Sequence, residues 1–160
     1  MKRPQTDVYV ALGSNLGDSW KILQEAINQL QAFSRVPLVK SSFMKSAPVD
    51  CPPGSPDFLN AVVRLVPGPD EAPESFLAKL QDLERKFGRR PKTILNEPRP
   101  LDLDLIAFGG ETRATPELVL PHPRAHLRRF VLQPLAEIAP QLILPGQTKT
   151  VLELLVKLPR

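Results

Sequence analysis

Leucine and aspartate alternate along one short stretch of the chain, and this pattern constrains the fold more than any other: Arg99-Pro100-Leu101-Asp102-Leu103-Asp104-Leu105-Ile106. A period of two predicts a β-strand whose two faces meet different surroundings. The leucines then point into a core, and Asp102 and Asp104 share the opposite face. Aspartate is depleted in strands, and like charges side by side repel each other. The pair therefore indicates either a bound cation, with Mg²⁺ the first candidate because it prefers oxygen ligands, or a solvated acidic edge strand.

Composition restricts the class of protein. The chain has 160 residues, of which 42% are hydrophobic and 24% charged, as is typical of one globular domain, expected here over residues 1–160. Its net charge of +4 suits an anionic ligand but is low for a protein that coats nucleic acid. The single cysteine, Cys51, excludes an internal disulfide and a cysteine-based zinc site. Because no apolar run approaches a signal peptide or a membrane span, we expect a cytoplasmic protein without a membrane partner. We also expect a monomer without a nucleic-acid partner.

The predicted elements follow the order β-α-β-β-α-β, which is that of the ferredoxin-like split βαβ unit. Two helices then cover one face of an antiparallel sheet, and the last third of the chain covers the other. We therefore predict an α+β fold with a C-terminal extension. The elements are a strand at Val8–Leu12 that stops at Gly13, a helix from Trp20, strands at Val39–Ser46 and Phe58–Val66, a second helix ending near Gly88, the Asp-Leu-Asp strand, and a short final helix at Thr150–Leu158.

Basic side chains flank the acidic strand on both sides in sequence. A divalent cation beside guanidinium groups suits a polyphosphate, because the metal neutralises the charge and arginine forks bind the phosphate oxygens. Phosphoryl transfer requires mainly such positioning and electrostatic stabilisation. A solvated basic surface is the alternative interpretation. The basic residues are Arg89, Arg90, Lys92 and Arg99 before the strand, and Arg124, Arg128 and Arg129 after it.

Several other side chains allow two interpretations. His122, between two prolines, is either a ligand contact or a rigid surface residue. Asn60, at the start of an apolar strand, is either a satisfied buried amide or a side chain that reads a ligand edge. Gln81 and Glu84 lie at i and i+3 of the second helix, and on pattern alone they form only a solvated face. Phe58 and Phe130 are core residues by default.

Four ordered motifs make the chain resemble the 6-hydroxymethyl-7,8-dihydropterin pyrophosphokinase family over nearly its whole length. Each motif alone is weak, but their order and spacing together are specific. The motifs are Gly13-Ser14-Asn15-Leu16-Gly17, Pro56-Asp57-Phe58-Leu59-Asn60-Ala61, Pro98-Arg99-Pro100-Leu101-Asp102-Leu103-Asp104, and Pro121-His122-Pro123-Arg124 followed by Arg128-Arg129-Phe130.

The resemblance implies transfer of a pyrophosphoryl group from ATP to the hydroxymethyl group of the dihydropterin, with release of AMP. It implies that Asp102 and Asp104 hold two Mg²⁺ ions, and that Arg89 and Arg99 bind the triphosphate and stabilise charge during the reaction. Aromatic faces would hold the flat pterin, and an amide would read its polar edge. By resemblance the ATP site is Gln81, Glu84, Arg89, Lys92, Arg99, Leu105, His122 and Arg128, and the pterin site is Ser46, Ala47, Val49, Phe58, Asn60 and Phe130.

The chain also departs from the family pattern. Asn96-Glu97 stand where members commonly carry an aromatic-Gly pair, Pro123 where some have tyrosine, and Ser46-Ala47 where some have Thr-Pro. These changes bear on fine contacts more than on the reaction, because Arg99 and both aspartates are present. By resemblance, residues 47–57 and 88–98 form mobile lids, and their length is consistent with that role.

Two other classes of protein fit part of the pattern. A palm-like metal-dependent nucleotidyl transferase also sets an acidic pair on a ferredoxin-like sheet, but its nucleic-acid track is disfavoured by the single Trp, the single Tyr and the modest charge. A non-catalytic ferredoxin-like nucleotide-binding module would leave the acidic pair and the arginines without a role. Mg²⁺-dependent ATP binding, compared with binding of single-stranded nucleic acid, discriminates among the three.

Overall fold

The computed structural model describes residues 5–48, 52–88 and 100–159. The strands are β1 Val8–Ser14, β2 Val39–Lys40, β3 Met44–Ser46, β4 Phe58–Leu65, β5 Asp102–Phe108, β6 Arg113–Ala114 and β7 Val119–Leu120. The helices are α1 Ser19–Gln31, α2 Pro73–Lys86, α3 Arg129–Ile138 and α4 Val151–Lys157, with a 3₁₀ turn at Ala125–Leu127. No helix within these described ranges is long and apolar enough to cross a membrane.

The main sheet has the strand order β2-β4-β1-β5, and β3 also pairs with β4. Each of these pairings is antiparallel. The mixed α/β class with an antiparallel sheet covered by helices is thereby confirmed. Strands β6 and β7 form a separate two-stranded ribbon.

Helices cover both faces of this sheet. On one face, α1 and α2 bury Leu23, Phe76 and Leu80 against strand residues such as Val10 and Leu103. On the other face, α3 and α4 pack against a second set of strand residues. That second core contains Tyr9, Ala11, Val62, Ile106, Ala107, Val131, Leu132, Leu135 and Val151.

The strand predicted at Val39–Ser46 is instead two short strands separated by a three-residue break. Within the break, the buried Ser41 replaces part of the ladder: its N–H donates to the Val62 carbonyl, and its Oγ accepts from the Val62 N–H, both at 2.9 Å. The next residue, Ser42, donates from its N–H and Oγ to the Glu137 carboxylate on α3. The break follows from side-chain hydrogen bonding that competes with strand pairing.

The first strand does not stop at Gly13, so that prediction is wrong. β1 continues to Ser14, and Gly13 pairs with Asn60 of β4 on one side and with Asp102 of β5 on the other. A glycine is tolerated in this central strand because pairing on both sides holds its backbone. The extra residues carry the sheet to the level of the acidic pair.

Candidate active site

A row of three residues crosses the sheet at one level. Asn60, Gly13 and Asp102 are directly paired across β4, β1 and β5. Because neighbouring strands lie about 4.8 Å apart, Asn60 and Asp102 face each other over roughly 10 Å, with Gly13 between them. The register therefore brings an amide predicted to contact the pterin and a carboxylate predicted to hold metal to one end of one sheet.

The acidic pair has the alternation that the sequence predicts. Leu103 and Leu105 are 5% and 4% exposed in the core under α1 and α2, whereas Asp102 and Asp104 are partly exposed. Both aspartates lie on the sheet face opposite to that core, because they are two residues apart on β5 and alternate with the buried leucines. They are therefore accessible to a ligand on the α3 side of the sheet.

The donor chemistry of this pair fits Mg²⁺. Across residues 5–48, 52–88 and 100–159, no group of three or more His, Cys, Asp or Glu side chains gathers as a metal-binding cluster. Mg²⁺ does not need one, because it keeps several waters and is usually bound by one or two carboxylates together with substrate phosphates. Two partly exposed carboxylates on one strand face supply that ligand set.

Gly13 leaves space between the ring of Phe58 and the amide of Asn60. A Cβ atom at this position would lie 3.4 Å from Phe58 Cδ1 and 3.6 Å from Asn60 Oδ1. A larger side chain would therefore enter the space between the two groups predicted to contact the pterin. From the sequence, Gly13 is placed only at the end of the first strand and in the first family motif, and this space is not predicted, although a glycine beside an apolar strand is a signal of close approach.

The two polar atoms of the Asn60 side chain differ in their hydrogen bonding. It is 4% exposed, and its Nδ2 donates to the Met44 carbonyl at 3.1 Å and to Ser46 Oγ at 2.8 Å. Within the described part of the chain no donor reaches its Oδ1, which lies near Gly13. The amide is thus satisfied as a donor, and its buried oxygen is available as an acceptor for a ligand N–H. Ser46 belongs to β3, and the exposed Ala47 follows it.

His122 is held beside β5 as a neutral ring. Its main-chain N–H donates to the Ile106 carbonyl at 2.9 Å, and its Nδ1 accepts from the Arg124 N–H at 3.2 Å. Burial lowers the pKa of His122 below its usual range, and the positive charge of Arg128 lowers it further, while Asp102 opposes the shift. With Nδ1 used as an acceptor, the neutral imidazole presents its Nε2–H as a donor.

Arg128 connects His122 with the aromatic side of the site. Its guanidinium carbon lies 5.4 Å from the centroid of the Phe130 ring, within the range of a cation–π contact. Arg128 is the N-cap residue of α3, and Phe130 lies in the first turn of that helix. The positive charge of Arg128 also acts on His122 and lowers its pKa.

The two polar residues of α2 differ in their surroundings. Gln81 is exposed, as a solvated face predicts, but Glu84 is 9% exposed and that interpretation is wrong for it. Glu84 Oε2 accepts a 2.8 Å hydrogen bond from the main-chain N–H of Leu103, between the two aspartates. Sequence reasoning missed this bond because the partners are 19 residues apart and one of them is main chain. Leu105 is in the core, so any contact with ATP would come from its main chain.

Some predicted site residues lie outside the described ranges. They are Val49, Arg89, Lys92 and Arg99, together with Cys51, the Asn96-Glu97 departure and much of both predicted lids. Their positions in the site stay predictions.

A cavity of about 560 Å³ opens at the same end of the sheet but under α1. It is lined by Asn15–Gly17, Ser19, Trp20, Lys45 and Pro56–Leu59. Phe58 is the one described residue that it shares with the predicted site. Among the described residues, the cavity therefore adjoins the predicted pterin site at Phe58.

Comparison with known proteins identifies one family. The family profile described as 7,8-dihydro-6-hydroxymethylpterin-pyrophosphokinase (HPPK) matches residues 9–140. A Haemophilus influenzae 2-amino-4-hydroxy-6-hydroxymethyldihydropteridine pyrophosphokinase is 39% identical over 139 residues, which are 86% of this chain and 84% of that protein. The corresponding Pseudomonas aeruginosa protein is 38% identical over 138 residues, 86% of this chain and 83% of that one.

Solved structures share the fold at low sequence identity. The crystal structure of wild-type Plasmodium falciparum HPPK-DHPS matches with a TM-score of 0.74 at 12% identity. The match covers 96% of this chain but only 41% of the Plasmodium chain, so this chain spans less than half of that protein. This likeness supports the fold alone.

Proposed function

The chain belongs to the 7,8-dihydro-6-hydroxymethylpterin-pyrophosphokinase family, and we propose on that premise that the Asn60–Gly13–Asp102 end of its sheet is the active site. The enzyme transfers a pyrophosphoryl group from ATP to the hydroxymethyl group of 6-hydroxymethyl-7,8-dihydropterin in folate biosynthesis. The proposal rests mainly on the strand register. It pairs Asn60, the amide proposed to contact the pterin, and Asp102, the carboxylate proposed to bind metal, with the same residue of β1, Gly13.

Asp102 and Asp104 hold two Mg²⁺ ions in this proposal. When bound, Mg²⁺ supplies positive charge that orients the phosphates and stabilises charge developing on them. The two carboxylates are suited to this because they share one strand face and are partly exposed. Pairing with Gly13 and Ala11 of β1 fixes their main chain.

Phosphate groups are bound by cations and neutral donors that surround the acidic pair. Arg128 supplies a guanidinium group, and neutral His122 donates from Nε2–H without adding charge. Arg89, Lys92 and Arg99 would add further cations, and the two arginines would stabilise charge at the β-phosphorus as it is attacked. Gln81, Glu84 and Leu105 complete the proposed ATP site, with Leu105 contributing main chain.

The pterin lies over Gly13 in this proposal. Asn60 Oδ1 accepts a hydrogen bond from an N–H on the pterin edge, while its Nδ2 bonds to Met44 and Ser46 keep the amide from rotating. Phe58 and Phe130 offer aromatic faces to the flat ring. Ser46, Ala47 and Val49 would form the adjacent wall.

We also propose a ferredoxin-like βαββαβ core, one pyrophosphokinase domain over residues 1–160, a monomeric state, a cytoplasmic location and no nucleic-acid partner.

Calorimetric titration with α,β-methylene-ATP tests the metal role, because the analogue blocks the bond that breaks when AMP leaves. We expect Mg²⁺-dependent binding by the wild type that Asp102→Asn weakens at least tenfold. Asp82→Asn, an exposed aspartate of α2 paired with Arg85, is the matched control and keeps wild-type affinity. Equal affinity with and without Mg²⁺ would contradict the metal role, and preference for single-stranded nucleic acid would favour a palm-like transferase.

A further inference from the structure

The strand that carries both aspartates is held by β1 along one edge. In the described part of the chain, β5 is the last strand of the main sheet, and Asp102 is its first residue. The last pair of the β1–β5 ladder is Gly13 with Asp102, so the metal-binding end of β5 is also the end of the ladder. Strand ends at a sheet edge are where local opening begins.

Glu84 binds this strand from its other edge. Residues of an antiparallel pair alternate between hydrogen-bonded and non-hydrogen-bonded positions, so the N–H of the residue between two bonded positions points away from the partner strand. The N–H of Leu103 points in this way and donates to Glu84 Oε2 at 2.8 Å. The Leu103 side chain is 5% exposed in the core below, so both its main chain and its side chain are fixed.

We propose that Glu84 is a positioning residue for the metal site: its carboxylate oxygen holds the Leu103 N–H and thereby fixes the directions in which Asp102 and Asp104 project. This proposal rests on the proposed function, in which the two aspartates hold Mg²⁺. The peptide units on either side of Leu103 are those that carry the two aspartates, so rotation there would move both carboxylates. The role requires a side-chain oxygen that accepts the Leu103 N–H, and a carboxylate or an amide oxygen can supply it.

Two substitutions of Glu84 distinguish the effect of its hydrogen-bond acceptor from the effect of its negative charge. Glu84→Gln keeps an Oε1 that can accept from Leu103 N–H, whereas Glu84→Met has similar length and no such acceptor. The matched controls are Glu74→Gln and Glu74→Met, at the other end of α2, where the glutamate binds Arg113 on the surface.

The first readout is amide hydrogen exchange at Leu103 in the metal-free protein, followed by NMR. We expect Glu84→Met to accelerate exchange at Leu103 at least tenfold, with Glu84→Gln and both Glu74 variants remaining near the wild type. This readout requires no substrate, so it reports on the bond even if the proposed function fails. Equal exchange at Leu103 in wild type and Glu84→Met would overturn the proposal.

The second readout is the Mg²⁺ dependence of pterin-dependent AMP release. Loss of a residue that orients metal ligands typically costs about 10- to 100-fold in metal affinity or activity. We therefore expect Glu84→Met to raise the half-saturating Mg²⁺ concentration by about that factor, and Glu84→Gln to recover at least tenfold of it. Equal losses in the two variants would overturn the positioning role in favour of a charge role.

The two readouts also distinguish this proposal from the proposed function. If wild-type protein released no pterin-dependent AMP, the proposed function would fail while the exchange data still tested the bond. If Glu84→Met did not fold, Glu84→Gln alone would decide: a tenfold or greater rise in its half-saturating Mg²⁺ concentration overturns the proposal, and a smaller rise supports it.

Discussion

Asn60 illustrates what a single residue contributes to the site. Its amide donors are used by Met44 and Ser46, and its buried Oδ1 faces the space over Gly13. From the sequence, a satisfied amide and a ligand-reading amide are equally consistent with a polar residue in an apolar strand. The choice depends on partners 14 and 16 residues away, which periodicity does not identify.

Asn60→Ala should weaken pterin binding selectively. Loss of the Oδ1 acceptor removes one hydrogen bond to the ligand, and we expect the pterin dissociation constant to rise about 10- to 100-fold. Affinity for ATP should stay within about twofold, because the proposed phosphate contacts are made by other residues. Calorimetric titration of each ligand measures both effects, and Asn28→Ala, an exposed amide on α1, is the control. Equal weakening of ATP and pterin would contradict the assignment.

The pKa of His122 should rise in Arg128→Gln. Burial lowers this pKa, and the charge of Arg128 lowers it further. Because the pKa of His122 is lower in the folded protein than in the unfolded chain, this residue does not destabilise the fold above the usual pKa range of histidine. As the pH falls through that range, the unfolded chain takes up a proton more readily, and the free energy of unfolding decreases. NMR titration of the ring in metal-free protein measures the midpoint. Arg85→Gln, at an exposed position on α2, should leave the midpoint unchanged. An unchanged midpoint in Arg128→Gln would show that the guanidinium does not act on His122.

At the scale of elements, periodicity predicts what local sequence determines. The alternating leucines and aspartates identify the face of β5 correctly, and the apolar stripes identify α1 and α2. Element ends depend on distant partners instead. β1 runs on through Gly13 because β4 and β5 pair with it on both sides, and the strand predicted at 39–46 breaks because Ser41 and Ser42 bond to Val62 and Glu137.

Gly13→Val should damage the pterin side of the site more than it damages the fold. A Cβ here already lies 3.4 Å from the Phe58 ring, so the extra methyl groups must displace Phe58 or Asn60. We expect kcat/KM for the pterin to fall at least tenfold and the free energy of unfolding to drop by about 1–3 kcal/mol. Steady-state kinetics and urea unfolding measure these effects.

Gly68→Val is the matched control for that substitution. No atom lies within 4 Å of a Cβ at Gly68, so activity should be unaffected. If Gly13→Val kept the wild-type kcat/KM, the space over Gly13 would not be part of the pterin site.

At the scale of the whole molecule, one sheet lies between two cores. The α1–α2 core and the α3–α4 core share the strands of this sheet, since neighbouring residues such as Val62 and Val63 point to opposite sides. The class of fold followed from the order of predicted elements. The alignment of Asn60 with Asp102 did not, because it depends on the strand register across β1.

Leu132→Ala should destabilise both cores together. Leu132 is a fully buried residue of α3, and its truncation leaves a cavity that costs about 2–5 kcal/mol. The single tryptophan, Trp20, lies on α1 beyond the opposite face. If residues 1–160 unfold as one domain, Trp20 fluorescence and far-UV circular dichroism should shift to the same lower midpoint in urea.

Leu152→Ala, at a position 42% exposed on α4, is the control and should change stability by less than about 1 kcal/mol. An unshifted Trp20 transition in Leu132→Ala would contradict a single cooperative domain.

Release of AMP from ATP and Mg²⁺, with and without 6-hydroxymethyl-7,8-dihydropterin, tests the central claim most directly. Wild-type protein and the control Asp82→Asn should release AMP only when the pterin is present. Asp104→Asn should lose this activity by at least 100-fold while keeping its fold, because the proposed metal site loses one of its two carboxylates. Undiminished AMP release by Asp104→Asn, or none from folded wild-type protein, would contradict the account.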